Sequence, residues 1–232
     1  MLSAGQVVLI PETKASTSRP LPIPGGWQAF EARRPRGSGG GVAQLVLGSI
    51  AAQQWRSVPE DGVLWVLLQG ALRGARTLAL GVCYHRPAGQ KTEKAQQEAA
   101  EWWQRRAAEW GAAAEAGWVP VLGGDFNAHV GTEPDWPAWE TCTSRQSRDT
   151  LRPDWRGDLL LQFCCDMGAR LTNGRVDGDR QGAATSFGTG ATRGTASSVV
   201  DYFIVPASYL PEVRGMHVVP GLAVADHAGL VL

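Results

Sequence analysis

Residues 119–127, Val-Pro-Val-Leu-Gly-Gly-Asp-Phe-Asn, end an apolar run in a two-glycine turn that presents a carboxylate and a carboxamide two residues apart. Along an extended backbone, residues i and i+2 share a side. Asp125 and Asn127 can therefore face one site while Phe126 anchors the turn in the core. A charged acceptor beside a neutral donor and acceptor suits a hard cation with an oxyanion next to it. The plainer alternative is a strand that ends in a polar turn.

Other carboxylates occupy similar places. Glu12, Asp125 and Asp226 each follow an apolar, strand-like run, and Asp201 lies inside one, at Val199-Val200-Asp201-Tyr202-Phe203. Half-buried carboxylates are costly unless paired or bound to metal. If strands from two sheets bring these ends together, the cluster repels itself unless a cation holds it. Mg²⁺ fits, because it takes one or two protein carboxylates, keeps several waters and coordinates phosphate. His227 then sits beside a metal ligand, where a general base or charge stabiliser would stand. A half-buried Asp201 is a natural partner to orient its imidazole. Taken alone, a His beside an Asp near a C-terminus is more often surface decoration than a catalytic group.

These residues need elements to position them. Val7 to Ile10 reads as a short buried strand that places Glu12 just past its end. Trp27 to Ala32, Val42 to Leu47, Val63 to Leu68 and Thr77 to Tyr84 read as further strands, the last two joined by a turn around Arg73 and Gly74. A long helix follows from about Glu93 to Ala116, with Thr92 as its cap. Ala99, Trp103, Ala107, Trp110 and Ala114 recur at helical spacing and form a packing stripe. Gly117 ends this helix and Trp118 opens the strand that leads to Asp125. A second helix is predicted from about Asp158 to Met167, capped by Asp158 and stopped by Gly168. Leu171 to Asn173, Ala184 to Phe187, Val199 to Val205 and Gly221 to Val224 read as short strands. No internal repeat is visible, and Gly37 to Gly41 is too short for a convincing linker. The reading is a single domain over residues 1–232.

Composition bounds the function. The chain has 232 residues, 44% hydrophobic, with Lys plus Arg and Asp plus Glu each totalling 22. Zero net charge lacks the excess of a strongly basic nucleic-acid binder. Affinity for such a substrate must come from local patches: Arg33, Arg34 and Arg36, or Arg145, Arg148, Arg152 and Arg156. Solvated arginines on surface loops are the plainer reading of both. The four cysteines, Cys83, Cys142, Cys164 and Cys165, match no zinc or disulfide spacing. Cys164 and Cys165 read as small buried hydrophobes, and a reducing compartment is the default inference. No segment is apolar enough to span a membrane. The first residues lack the pattern of a secretory signal. No obligate protein partner is implied.

Five blocks in order carry a resemblance: Pro11-Glu12-Thr13-Lys14, Tyr84-His85-Arg86-Pro87, Gly124-Asp125-Phe126-Asn127-Ala128, Ser198-Val199-Val200-Asp201-Tyr202 and Asp226-His227. Together they resemble the endonuclease/exonuclease/phosphatase superfamily, and within it the apurinic-type endonucleases and the endonuclease domains of non-LTR retrotransposons. The turn at Gly39 to Val42-Ala43 and Asn173 fit the same pattern. The resemblance implies an α/β fold, a two-sheet β-sandwich flanked by helices in four deoxyribonuclease-like layers. It also implies a strand bearing an Asn ahead of the glutamate block. Glu12 stands eleven residues after Met1 with no such strand between, so an N-terminally truncated version is expected. Ala225 replaces the Ser usual before the final Asp-His pair.

The resemblance also implies roles. Glu12 is the chief metal ligand, and Asp226 ligates directly or through water. Tyr84 donates to the scissile phosphate. Asp125 activates or positions the attacking water, and Asn127 holds that water or a phosphate oxygen. Asp201 orients His227, which helps deprotonate the nucleophile or stabilises the transition state. The expectation is a Mg²⁺-dependent phosphodiesterase (Mn²⁺ as substitute), most simply a DNA endonuclease of retrotransposon type. The alternatives are a phosphatase acting on a small phosphate ester or phosphoinositide, and an inactive retroelement remnant that serves at most as a binding module.

Overall fold

The computed structural model describes residues 6–14, 20–33, 40–87, 89–149, 151–187, 198–219 and 227–231. Contacts group the chain into two compact units: Met1–Pro87 with Trp110–Phe126, and Ala88–Glu109 with Asn127–Leu232.

The first unit is a sandwich of two sheets. Its smaller sheet holds β1 (Val7–Pro11), β2 (Trp27–Ala32) and β3 (Val42–Leu47) in the antiparallel order β1-β3-β2. Its larger sheet holds β4 (Ala52–Val58), β5 (Val63–Leu68), β6 (Leu78–Tyr84) and β7 (Val119–Asp125), in that order. β5 and β6 are antiparallel, whereas β6 and β7 are parallel. All six β5 residues and all seven of β7 are buried, so both read as continuous apolar runs rather than alternating ones. β3 packs on β5 and β6. Gln44 of β3 is fully buried and bolts the sheets together, donating from Nε2 to the carbonyls of Leu64 (3.1 Å) and Leu80 (2.8 Å). Trp65, Leu64, Leu68, Val82 and Leu122 are fully buried in this unit.

β4 was not foreseen. Its sequence, Ala-Gln-Gln-Trp-Arg-Ser-Val, is polar, half-exposed and bulged between Gln54 and Arg56. Ladder bonds to β5 hold it where apolar periodicity would not.

The second unit holds β8 (Ala169–Leu171) and β9 (Asp201–Pro206) as an antiparallel pair, and a two-stranded sheet, β10 (His217–Val219) with β11 (Gly229–Val231). Helix α1 (Glu93–Glu115) is capped by Thr92, whose Oγ1 accepts from Ala95 N at 3.1 Å. Its Trp103 ring meets Phe163 of α2 (Trp155–Asp166) at 4.8 Å. The packing stripe differs from its prediction. Ala99, Trp103 and Trp110 are buried, but Ala114 is exposed, and Trp102, Arg106, Glu109 and Ala113 complete the face. Arg106 and Glu109 enter it as a buried ion pair, the guanidinium lying over the Trp102 ring.

Helix α2 begins a turn earlier than expected. Its cap is Asp154, not Asp158: Asp154 Oδ1 accepts from Arg156 N (3.1 Å) and Gly157 N (2.7 Å). Pro153 ahead of this cap and Trp155 within the first turn masked the start. The predicted strand at Leu171–Asn173 lies two residues upstream, and Ala184–Phe187 forms only isolated bridges through Ser186. Gly221–Val224, Arg34 and Arg36 lie outside the described residues. The second arginine patch divides: Arg148 and Arg152 are exposed, whereas Arg145 and Arg156 are buried. Arg145 donates to the carbonyls of Gly131 and Glu133, which costs an ordering loop less than leaving those oxygens dry. All four cysteines are free; Cys164 is buried as expected, and Cys165 only partly. Among the described residues, no helix is long and apolar enough to cross a membrane.

Candidate active site

The predicted residues fall into two groups, one in each unit. In the first unit, Tyr84 and Asp125 end the parallel strands β6 and β7 and are direct register partners. Gly124 allows this. Its φ is +141°, and a Cβ there would stand 2.0 Å from the Cys83 carbonyl oxygen, so only glycine lets β7 lie against β6 one residue before the carboxylate. Asp125 is 4% exposed, and Phe126 is fully buried as predicted.

Glu12 follows β1, which packs against β6 and β7. Its backbone is left-handed (φ +53°), as is that of Lys14 (φ +51°). Such conformations persist in non-glycine residues only where surroundings over-determine them. Here the turn at Gly40 and Gly41 does so, accepting hydrogen bonds from Lys14 N (3.1 Å) and Thr13 N (2.9 Å). The glycine turn singled out in the sequence therefore serves to hold the glutamate loop. Lys14 Nζ lies 3.5 Å from Glu12 Oε2, and with Lys14 60% exposed this pair adds little stability. The Tyr84 hydroxyl senses both acids: burial, the charges of Glu12 and Asp125, and a hydrogen bond to Glu12 push its pKa up to about 12. Glu12, Tyr84 and Asp125 thus share one acidic locale.

In the second unit, His227 Nδ1 and Asp201 Oδ2 stand 2.8 Å apart. Asp201 is 3% exposed, and the His227 side chain is 30% exposed. Thr185 is the hub of this pair. Its Oγ1 accepts from Val200 N and Asp201 N, both at 3.1 Å, and its carbonyl accepts from Ala228 N at 2.7 Å. Asn173 supports the other side, donating from Nδ2 to the Asp201 carbonyl (3.0 Å) and accepting from Phe203 N (3.3 Å). Asn127, half-exposed, is left-handed at φ +46°. The next carbonyl, of Ala128, accepts from the buried Tyr202 hydroxyl at 3.1 Å. Asp226 lies outside the described residues.

Sequence reasoning gave Asn173 no role and missed Thr185 altogether. A lone threonine beside small residues gives no signal that it caps a strand start 15 and 16 residues away in the chain. It also missed a second imidazole–carboxylate pair, His129 with Asp149 (2.6 Å). His129, two residues past Asn127, was the available clue.

No protein-family model and no curated protein matches the sequence. Solved structures do. The endonuclease domain of TRAS1, a telomere-specific non-LTR retrotransposon, is 18% identical, with 97% of this chain and 83% of that one covered and a TM-score of 0.63. The AP endonuclease LMAP from Leishmania major is 16% identical, covering 97% and 77%, with a TM-score of 0.68. The 3′ phosphatase NExo from Neisseria, solved with a product DNA hairpin, is 14% identical, covering 97% and 87%, also at 0.68. The chain shares the fold of these structures. This is the two-sheet α/β sandwich that the five blocks implied: Tyr84 and Asp125 close β6 and β7, Glu12 follows β1, Asp201 opens β9, and His227 forms an isolated bridge with Ser186.

Proposed function

We propose that the chain is a Mg²⁺-dependent phosphodiesterase, a DNA endonuclease of retrotransposon type. The observation that carries this reading is the 2.8 Å Asp201–His227 pair. A half-exposed imidazole held by a buried carboxylate is equipped to move a proton or to stabilise charge on a phosphoryl group. The Neisseria structure holds a product DNA hairpin, which supports DNA as the substrate class.

In this reading Asp125 takes the proton of the attacking water, and Asn127 holds that water or a phosphate oxygen. Tyr84 keeps its proton, in line with its raised pKa, and donates it as a hydrogen bond to the scissile phosphate. His227, oriented through Nδ1, presents Nε2 to the phosphoryl oxygens. Glu12 and Asp226 hold the metal. The donor set fits a hard divalent cation: carboxylate oxygens dominate, and the field of Glu12 and Asp125 that raises Tyr84 is one that a cation relieves. Mg²⁺, or Mn²⁺ in its place, neutralises developing charge and acidifies bound water.

Plasmid nicking tests this. Supercoiled DNA is converted to open circle with Mg²⁺ and not with EDTA, and Glu12→Gln and His227→Ala each abolish conversion. Nicking that survives both substitutions means the site is misassigned. A second reading, a phosphomonoesterase, is favoured by the name of the Neisseria neighbour; phosphate release without nicking would select it. A folded protein silent in both assays would be a remnant.

A further inference from the structure

We infer that His129 is a positioning residue: with Asp149 it holds Asn127 in register with the Asp201–His227 pair. The inference rests on the phosphodiesterase reading for its meaning in catalysis, but on its own geometry for the placement, all within the second unit.

Asp149 is 3% exposed and works with both oxygens. Oδ2 receives the His129 Nδ1 proton at 2.6 Å and the backbone N–H of Val199 at 3.3 Å; Oδ1 receives Leu151 N at 3.0 Å. One carboxylate therefore ties a residue two past Asn127 to a residue two before Asp201. A second strut runs alongside. The buried Tyr202 hydroxyl is shared between the carbonyls of Ala128 and Val199. Both struts begin in residues 128–129 and end at Val199.

The backbone of His129 is fixed independently of its ring. His129 N donates to Asp154 Oδ1 (3.3 Å), and Asp154 N donates to the His129 carbonyl (3.1 Å). That carbonyl lies so close to the first turn of α2 that a Cβ on Gly157 would stand 1.8 Å from it. The cap of α2 thus holds the main chain, and the imidazole is left to link it to Asp149. The need for such bracing is visible at Asn127, whose left-handed backbone requires support from its neighbours.

The two ends of the imidazole separate positioning from direct chemistry. An asparagine amide takes the place of Nδ1 and can still donate to Asp149; a glutamine amide reaches the place of Nε2 and cannot. His129→Asn should keep kcat within severalfold of wild type. His129→Gln and His129→Ala should lose about 100-fold in kcat, the size of effect that a misplaced reacting group produces, with KM little changed. In ¹⁵N-labelled protein, the side-chain amide resonance of Asn127 should move in the Gln and Ala variants and stay in the Asn variant. If His129→Asn is as slow as His129→Ala, the outward nitrogen acts on substrate itself and the positioning role is wrong. Full activity of all three with an unmoved Asn127 resonance also overturns it. If the Ala variant does not fold, the Asn and Gln pair still decides. Absence of nicking by wild type sinks the phosphodiesterase reading alone, because the resonance measurement needs no turnover.

Discussion

At the residue scale, the fold has already constrained the ionisation of one candidate side chain, Tyr84. Tyr84 illustrates the sign. An unperturbed phenol titrates near 10, and here burial with Glu12 and Asp125 moves it to about 12. Between these values the folded protein retains a proton that the unfolded chain has released. Stability therefore falls as pH rises through that window and does not depend on Tyr84 below it. Phenolate absorbance on base titration should show one of the three tyrosines ionising late near pH 12, and Tyr84→Phe should remove that step. Asp201→Asn should leave the chain folded but withdraw the charge that favours an imidazolium at His227. Its expected cost is in kcat, up to about 10²–10⁴-fold, the range a positioned acid–base group contributes; steady-state nicking with unchanged KM is the check. Nearly all of these residues were legible as types and spacings, because a carboxylate after an apolar run is conspicuous. Thr185 and Asp149 were not, because each acts on backbone brought near only by folding.

At the element scale, legibility followed the strength of the periodic signal. β2, β3 and β5 begin and end where the sequence placed them, since their apolar runs are bounded by turn residues. β4 escaped notice because it is polar and half-exposed, and the β10–β11 pair because each strand is only three residues long. The start of α2 was misjudged because Asp154 and Asp158 are both plausible caps, and only the orphan N–H groups of Arg156 and Gly157 distinguish them. One element contact makes a sharp prediction. Gly124→Ala forces a Cβ against the Cys83 carbonyl in a backbone conformation closed to alanine. Denaturant unfolding should show a loss of about 3 kcal/mol or more. Mg²⁺-dependent nicking should fall as well, because the displaced strand end carries Asp125.

At the scale of the whole molecule, the first four short blocks pointed to the architecture because each marks the end or the beginning of a strand: β1, β6 and β7 stop in the first three, and β9 starts in the fourth. Net charge gave less: with 22 residues of each sign, only the placement of individual arginines matters, and Arg145 and Arg156 turned out to be buried. We propose that the chain melts as one cooperative body, as a single domain would. The tryptophans allow this to be seen. In the first unit Trp55 lies edge-on to Trp65 and Trp118, at 5.9 and 5.2 Å; in the second, Trp102 and Trp103 meet nearly at right angles at 4.9 Å. Indoles so close share their electronic excitations and give paired circular-dichroism bands of opposite sign. Trp55→Phe should erase one couplet and Trp102→Phe the other, so each half of the chain carries its own optical thermometer. One melting temperature for both couplets is the expected result, and two would divide the chain into independently folding halves.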